Sequence, residues 1–192
     1  DARRRVAELP LGSGAIAGSG FPVDRVLLKE ALGFRSISAN ALDATGDRDF
    51  VAETLFALTL VGTHLSRLGS ELVLYTSAEF GFVRLADEFS TGSSLLPQKR
   101  NPDVFELVRA KSARLLGDLV ALLGTLKGLP AGYSKDLQED KPLLFDAFDT
   151  LALVLPAVSG AVATLTVHRD RMAAALDASL RATDLADALV EA

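Results

Sequence analysis

The sequence has no cysteine, no tryptophan, one methionine and two histidines in 192 residues. Without cysteine, disulfides and thiol chemistry are excluded. His64 and His168 stand far apart with no ligand-spaced partners, so neither a structural nor a catalytic zinc site is expected, and each reads as structural. An excess of one charge is also missing. Twenty Lys and Arg against 25 Asp and Glu give a net charge of -5, which favours neither nucleic acid nor an anionic membrane surface as a partner. No run alternates cleanly between apolar and polar residues across turn signals, so strands are not expected. The opening Asp1-Ala2-Arg3-Arg4-Arg5 does not read as a signal peptide. It resembles the tail of a helix, and the closing "LADALVEA" a helix cut short, so the expectation is a piece of a longer protein.

Hydrophobic residues make up 49% of the chain, enough for a packed core in one domain, or one domain and part of another. Their spacing is helical. Val51, Leu55, Leu58, Val61, Leu65, Leu68 and Leu72 recur mostly in steps of three and four, predicting a first long helix from Asp47 to about Ser77. At 1.5 Å per residue it would run about 45 Å. A second is predicted from Val104 to Leu126, ended by the glycines and proline of "KGLPAGYSK". A third runs from about Leu137 to Val167, with a kink expected at Pro156. Its middle, "LALVLPAVSGAVATL", is shorter than the roughly 20 apolar residues of a membrane span, so it reads as a buried core helix. Shorter helices are predicted over "VDRVLLKEALG", Arg169–Leu176 and from Thr183 onward. The fold class is all-α, a long-helix bundle. Three such helices leave apolar faces that one short chain cannot cover, so self-association is expected.

Two loops interrupt this pattern. "LGSGAIAGSG" is glycine-rich, but it lacks the GK[ST] ending and the preceding strand of a nucleotide loop, and reads as a packed or partner-lining loop. "STGSSLLPQKRNPD", Ser90 to Asp103, is richer in chemistry. Asn101 is a good N-cap and Pro102 suits a first helical position. The helix start offers free amides beside Lys99 and Arg100, which favours a carboxylate or phosphate. A serine there could act as a base only under concentrated positive potential in a dry site. Elsewhere, Tyr133, Gln138 and Lys141 supply a phenol, an amide and an ammonium. Arg48 lies between two aspartates and would cap them or reach a ligand. Glu106 would orient a histidine from another helix or pair with Arg109.

"GSSLLPQKRNP", Gly92 to Pro102, resembles the signature of the fumarase/aspartase superfamily of lyases. Gln98, "LPLGSGAIAG", "DRDFVAE" and "YSKDLQEDK" resemble its argininosuccinate lyase branch, and the resemblance runs over essentially all 192 residues. Leu96, Arg100 and Ser134 depart mildly from the common pattern without removing a catalytic group. The resemblance implies reversible cleavage of argininosuccinate to arginine and fumarate through an aci-carboxylate, with no metal or organic cofactor. Ser93 would be the base, Lys99 would stabilise the intermediate, and Glu106 would orient a catalytic histidine. Arg48, Asn101, Tyr133, Gln138 and Lys141 would bind substrate. The resemblance further implies a cytoplasmic homotetramer with sites shared between subunits. Residues 1–175 would belong to the central helical domain and 176–192 would begin a small C-terminal one. The family's catalytic histidine falls in a region this chain does not contain, so the chain alone is expected to be inactive. The alternatives are a lyase for a different succinyl adduct and a non-catalytic, crystallin-like relative.

Overall fold

The computed structural model describes residues 2–191. Its chain order is α1 (Ala2–Val6), β1 (Glu8–Leu9), α2 (Arg25–Leu32), β2 (Ser36–Ile37), α3 (Ala41–Gly46), α4 (Asp49–Thr76), β3 (Val83–Arg84), α5 (Asp103–Leu126), α6 (Asp140–Ala163), β4 (Thr166–Val167), α7 (Arg169–Ala174) and α8 (Ala182–Glu191). The three predicted long helices are α4, α5 and α6. Contacts divide the chain into two compact units, Asp1–Leu65 with Arg109–Val154, and Ser66–Val108 with Leu155–Ala192.

In the first unit the core is one seam of side chains. Val51 and Leu55 of α4, Leu115 and Leu122 of α5, and Ala147 and Leu151 of α6 are all nearly or fully buried. The pairs are spaced i, i+4 on α4 and α6 and i, i+7 on α5, spacings that share one helix face. The Thr59 hydroxyl donates to the Leu55 carbonyl at 2.8 Å and to the Leu115 carbonyl at 3.1 Å, so a buried polar group ties α4 to α5. Beside the seam, the glycine-rich loop folds back on itself, with Gly18 N donating to the Ser13 carbonyl at 2.7 Å. A Cβ on Gly14 would lie 2.0 Å from the Gly18 oxygen, so the close turn needs glycine there. Within this chain the loop is mostly exposed, with Ser13 alone buried, so it is not packed against the chain's own core.

The second unit buries Leu72, Leu85, Phe105, Val108, Val158 and Ala161. Tyr75, Phe80 and Phe82 form an aromatic cluster with ring centroids 5.3–6.4 Å apart.

Several expectations need correction. Four two-residue strands form two pairs, β1 with β2 in parallel and β3 with β4 antiparallel. Two residues are too few for alternation to register in sequence. The β3–β4 pair is also why α6 ends at Ala163 rather than near Val167, since Thr166 pairs with Arg84 and Val167 with Val83. At its other end, Lys135–Glu139 wind as a 3-10 turn, so α6 proper starts at Asp140. Pro156 sits inside α6 without ending it. Asp24 caps α2, its Oδ1 accepting from the amides of Val26 and Leu27 at 3.0 and 2.9 Å, so the helix starts at Arg25, inside the predicted stretch. The stretch from Lys135 to Ala163 is long and apolar enough to cross a membrane by length and composition, yet only 28% of its most apolar window is buried within this chain. It is thus a core helix on the Ala147–Leu151 side only. Phe145, Phe148 and Leu153 stand 60%, 50% and 65% exposed.

Among the described residues two buried carboxylate oxygens lack a hydrogen-bond partner, one on Glu53 and one on Asp118. Asp118 on α5 is 8% exposed and its Oδ2 finds no hydrogen-bond partner among the described residues. Burial, and then the charge of Asp146, push its carboxyl up to about 6, while the Arg114 guanidinium holds Asp146 below its usual range. Asp118 is harder to ionise folded than unfolded. Stability linked to it is therefore full below its ordinary 3.8 and is lost as pH rises through about 6. At about 1.4 kcal/mol per pK unit this is roughly 3 kcal/mol. Asp118→Asn should melt higher than the parent at pH 8 and lose that advantage near pH 4, read by thermal unfolding across pH. An equal difference at both pH values would contradict this.

Candidate functional site

The residues singled out in the sequence fall into two clusters, one in each unit. The second unit holds the loop. Its two legs are joined by an antiparallel bridge, in which Asn101 N donates to the Thr91 carbonyl at 2.8 Å and Thr91 N to the Asn101 carbonyl at 3.2 Å. The Thr91 hydroxyl also donates to Asp103 Oδ2 in a short contact. Arg100 pairs with Asp87 at 3.3 Å. The segment between the legs is thus closed at its base by backbone pairing.

That pairing shifts the helix start. Asn101 was expected to cap α5, but its backbone is extended against Thr91. The Pro102 carbonyl accepts the first helical amides instead, from Phe105 at 2.9 Å and Glu106 at 3.2 Å. The first turn already carries Asp103 and Glu106, so acidic side chains of the chain itself complement the helix dipole there.

Ser93 is half-buried, and its Oγ accepts from the amides of Leu95 and Leu96, both at 3.2 Å. Two N–H dipoles aimed at one oxygen favour its anionic over its neutral form. The arrangement therefore adds positive potential at the Ser93 oxygen. Lys99 is exposed and has no carboxylate partner among the described residues. Glu106 is exposed on α5 and does not pair with Arg109. The functional ends of Lys99, Asn101 and Glu106 are thus uncommitted, whereas Arg100 is held by Asp87.

The first unit holds the other cluster. Arg48 donates through Nε to Asp140 Oδ2 at 2.6 Å, and through Nη1 to the carbonyls of Asp47 at 2.7 Å and Thr45 at 3.2 Å. Both side chains of the pair are largely buried, at 13% and 8% exposed. Lys141 reaches the other Asp140 oxygen at 3.0 Å. Asp140 thus stands between two cations at the first residue of α6. The preceding 3-10 turn is anchored by buried Leu137 and presents Gln138 to solvent, with Tyr133 half-exposed before it. Next to this cluster a cavity of about 300 Å³ lies between Asn40, Asp43 and Asp47 on one side and Pro130 and Gly132 on the other.

Sequence reasoning took Tyr133, Gln138 and Lys141 as one group, and they lie along the turn that leads into α6, while Ser93, Lys99 and Asn101 lie in one loop. It missed Asp140 as the counter-ion of Arg48, because 92 residues separate them. It also missed Thr91, whose role depends on which residue it faces. The only sequence signal for that role was its position ten residues before Asn101.

A family model described as "Lyase" matches residues 1–117. Among curated proteins, the chain is 62% identical over 190 residues to the argininosuccinate lyase of Roseiflexus sp. (strain RS-1), covering 99% of this chain and 42% of that protein. It is 62% identical over 191 residues to that of Chloroflexus aurantiacus, covering 99% and 41%. It is 57% identical over 188 residues to that of Acidothermus cellulolyticus, covering 97% and 38%. The chain therefore spans about two fifths of the length of these relatives. Among solved structures it is similar to EDDS lyase in complex with formate, with a TM-score of 0.79 and 32% identity, over 89% of this chain and 34% of that one. A fumarate lyase:delta crystallin from Brucella melitensis matches at a TM-score of 0.67 and 20% identity over 86% of this chain and 39% of that one, a likeness of fold.

The buried pair yields a stability test. Arg48→Met leaves the largely buried Asp140 carboxylate with only the exposed Lys141 and should cost about 2–4 kcal/mol, whereas Lys141→Met leaves the buried Arg48 partner in place and should cost under about 1 kcal/mol. Urea unfolding of both variants measures the difference. Equal losses would show that Arg48 does not carry the pair.

Proposed function

The chain belongs to the lyase family, and from that premise we propose that it forms part of an enzyme cleaving argininosuccinate reversibly to arginine and fumarate. The observation that carries this reading is the Ser93 hydroxyl under two backbone amides in a loop that also presents Lys99 and Asn101. The identity of 57–62% to curated argininosuccinate lyases supports the choice of substrate.

In this reading Ser93 Oγ, as the alkoxide, takes the proton from the succinyl carbon next to the carboxylate. The electron pair left behind moves into that carboxylate and gives the aci-carboxylate. Its added charge is stabilised by the Lys99 ammonium and by loop amides, in the way preorganised donors stabilise developing oxyanions. Collapse of the intermediate forms the carbon–carbon double bond of fumarate and breaks the carbon–nitrogen bond. The nitrogen leaves as arginine once it is protonated by an acid outside these 192 residues, oriented by Glu106. Asn101 holds the substrate against the loop. Tyr133, Gln138 and Lys141 bind it through donor groups suited to carboxylates. Arg48 contributes by fixing Asp140, and with it Lys141, at the start of α6.

The protein is read as a cytoplasmic homotetramer whose sites combine residues of different subunits. The apolar faces support this. Leu116, Val120 and Leu123 of α5 are 51%, 61% and 51% exposed, and α6 adds Phe145 and Phe148. Each is already about half buried, so covering it would contribute about 1–1.5 kcal/mol, half of what full burial of a large apolar side chain is worth. Residues 1–175 would then belong to the central helical domain, with 176–192 opening a smaller one. Similarity to EDDS lyase favours, as the second reading, a lyase of the same chemistry for another adduct.

The test is turnover of argininosuccinate by the full-length protein, with arginine and fumarate read by mass spectrometry. Ser93→Ala should lower kcat by about 10²- to 10⁴-fold, the usual weight of a positioned base. The 192-residue chain alone should give no product. Wild-type turnover by the Ser93→Ala protein, or product from the short chain, would overturn the assignment. Cleavage of a different succinyl adduct in its place would move it to the second reading.

A further inference from the structure

A cavity of about 370 Å³ opens in the second unit, outside the groups assigned to turnover except for Asn101. Three arginines line it, Arg84, Arg100 and Arg171, together with His168. The carboxylate that neutralises part of this charge is Asp87, 3.3 Å from Arg100 and 3.5 Å from Arg84. Three positive charges against one negative leave an excess of two, even with His168 neutral. Arg171 has no carboxylate partner among the described residues.

Backbone geometry makes room for that unpaired group. Gly81 has φ +55°, and a Cβ built on it would stand 1.9 Å from Arg171 Nη1. Any larger residue at position 81 would displace the guanidinium. The apolar side of the cavity includes buried Leu85, and a low-dielectric wall focuses the field of the cations into the opening. Both legs of the loop also reach this cavity, through Ser90 on one and Arg100 and Asn101 on the other.

We propose that this cavity binds a small dianion, and that its occupant pins the two legs of the loop to the wall formed by β3 and the start of α7. Guanidinium groups bind phosphate and carboxylate oxygens in pairs, so inorganic phosphate and a short dicarboxylate share the required chemistry. A monoanion leaves one positive charge unmatched and binds more weakly.

The test is calorimetric titration of the full-length protein, at constant ionic strength, with inorganic phosphate, malonate and acetate in separate runs. Saturable binding of phosphate or malonate is expected, and the tighter of the two identifies the source of the dianion. Arg171→Gln should weaken it about tenfold or more, the weight of a lost charge-assisted hydrogen bond. Gly81→Ala should do the same by displacing the guanidinium, and Arg84→Gln serves where Arg171→Gln does not fold. Ser93→Ala should leave the affinity unchanged. Amide hydrogen exchange of residues 92–100 should slow when the dianion is bound. No saturable binding of either dianion, equal binding of acetate, or unchanged affinity in the Arg171 and Gly81 variants would overturn the site. Unchanged exchange in the loop would overturn the pinning. Both readouts are independent of turnover, so they bear on the cavity whether or not the protein cleaves argininosuccinate.

Discussion

The apolar seam of Val51, Leu55, Leu115, Leu122, Ala147 and Leu151 is the interaction on which the first unit depends. It holds segments of α4, α5 and α6 side by side, and it leaves no water for any polar group that enters with them. Each such group is resolved differently. Thr59 spends its hydroxyl on two carbonyls. Asp140 is matched by Arg48 and Lys141. Asp118 is left with an unpartnered oxygen and answers by resisting ionisation. The same constraint places the polar chemistry at helix ends and in the segments that join them. A helix interior offers few free backbone donors, whereas its ends and the connecting turns offer several.

The loop from Ser90 to Asp103 shows how such a segment becomes specific. Its base is rigid because Thr91 and Asn101 exchange backbone hydrogen bonds, and because Asp87 holds Arg100. Its tip is open, with Leu95 83% exposed. A rigid base with an exposed apolar tip suits a segment that is completed by another surface, and an uncommitted Lys99 gives that surface a cation to meet. The Ser93 oxygen is already oriented by its two amides before any substrate arrives. Preorganised dipoles of this kind cost nothing at the moment of reaction.

Much of this was legible in the sequence. The three long helices followed from apolar residues in steps of three and four. The bounds of α4 and α5 agree closely, because burial of one face is a local pattern that long helices repeat many times, while α6 is shorter at both ends. The loop stood out by composition, and its serine, lysine and asparagine were recognised together. What could not be read depends on partners distant in the chain. Arg48 looked like a ligand-binding or capping residue until Asp140 was found against it. Asn101 looked like an N-cap until Thr91 claimed its backbone. Thr166 and Val167 looked like the end of a helix until Arg84 and Val83 paired with them. Leu153 lies in the segment read as a buried core helix, although within one chain it faces outward.

The central chemical claim is that Ser93, polarised by the amides of Leu95 and Leu96, moves a proton at carbon. The most direct measurement is deuterium incorporation. The full-length protein is incubated in D₂O with arginine and fumarate, and the argininosuccinate formed is analysed by mass spectrometry. The account predicts one deuterium on the succinyl carbon with the wild-type protein and almost none formed with Ser93→Ala. Deuterated product forming at the wild-type rate without the Ser93 hydroxyl would contradict it.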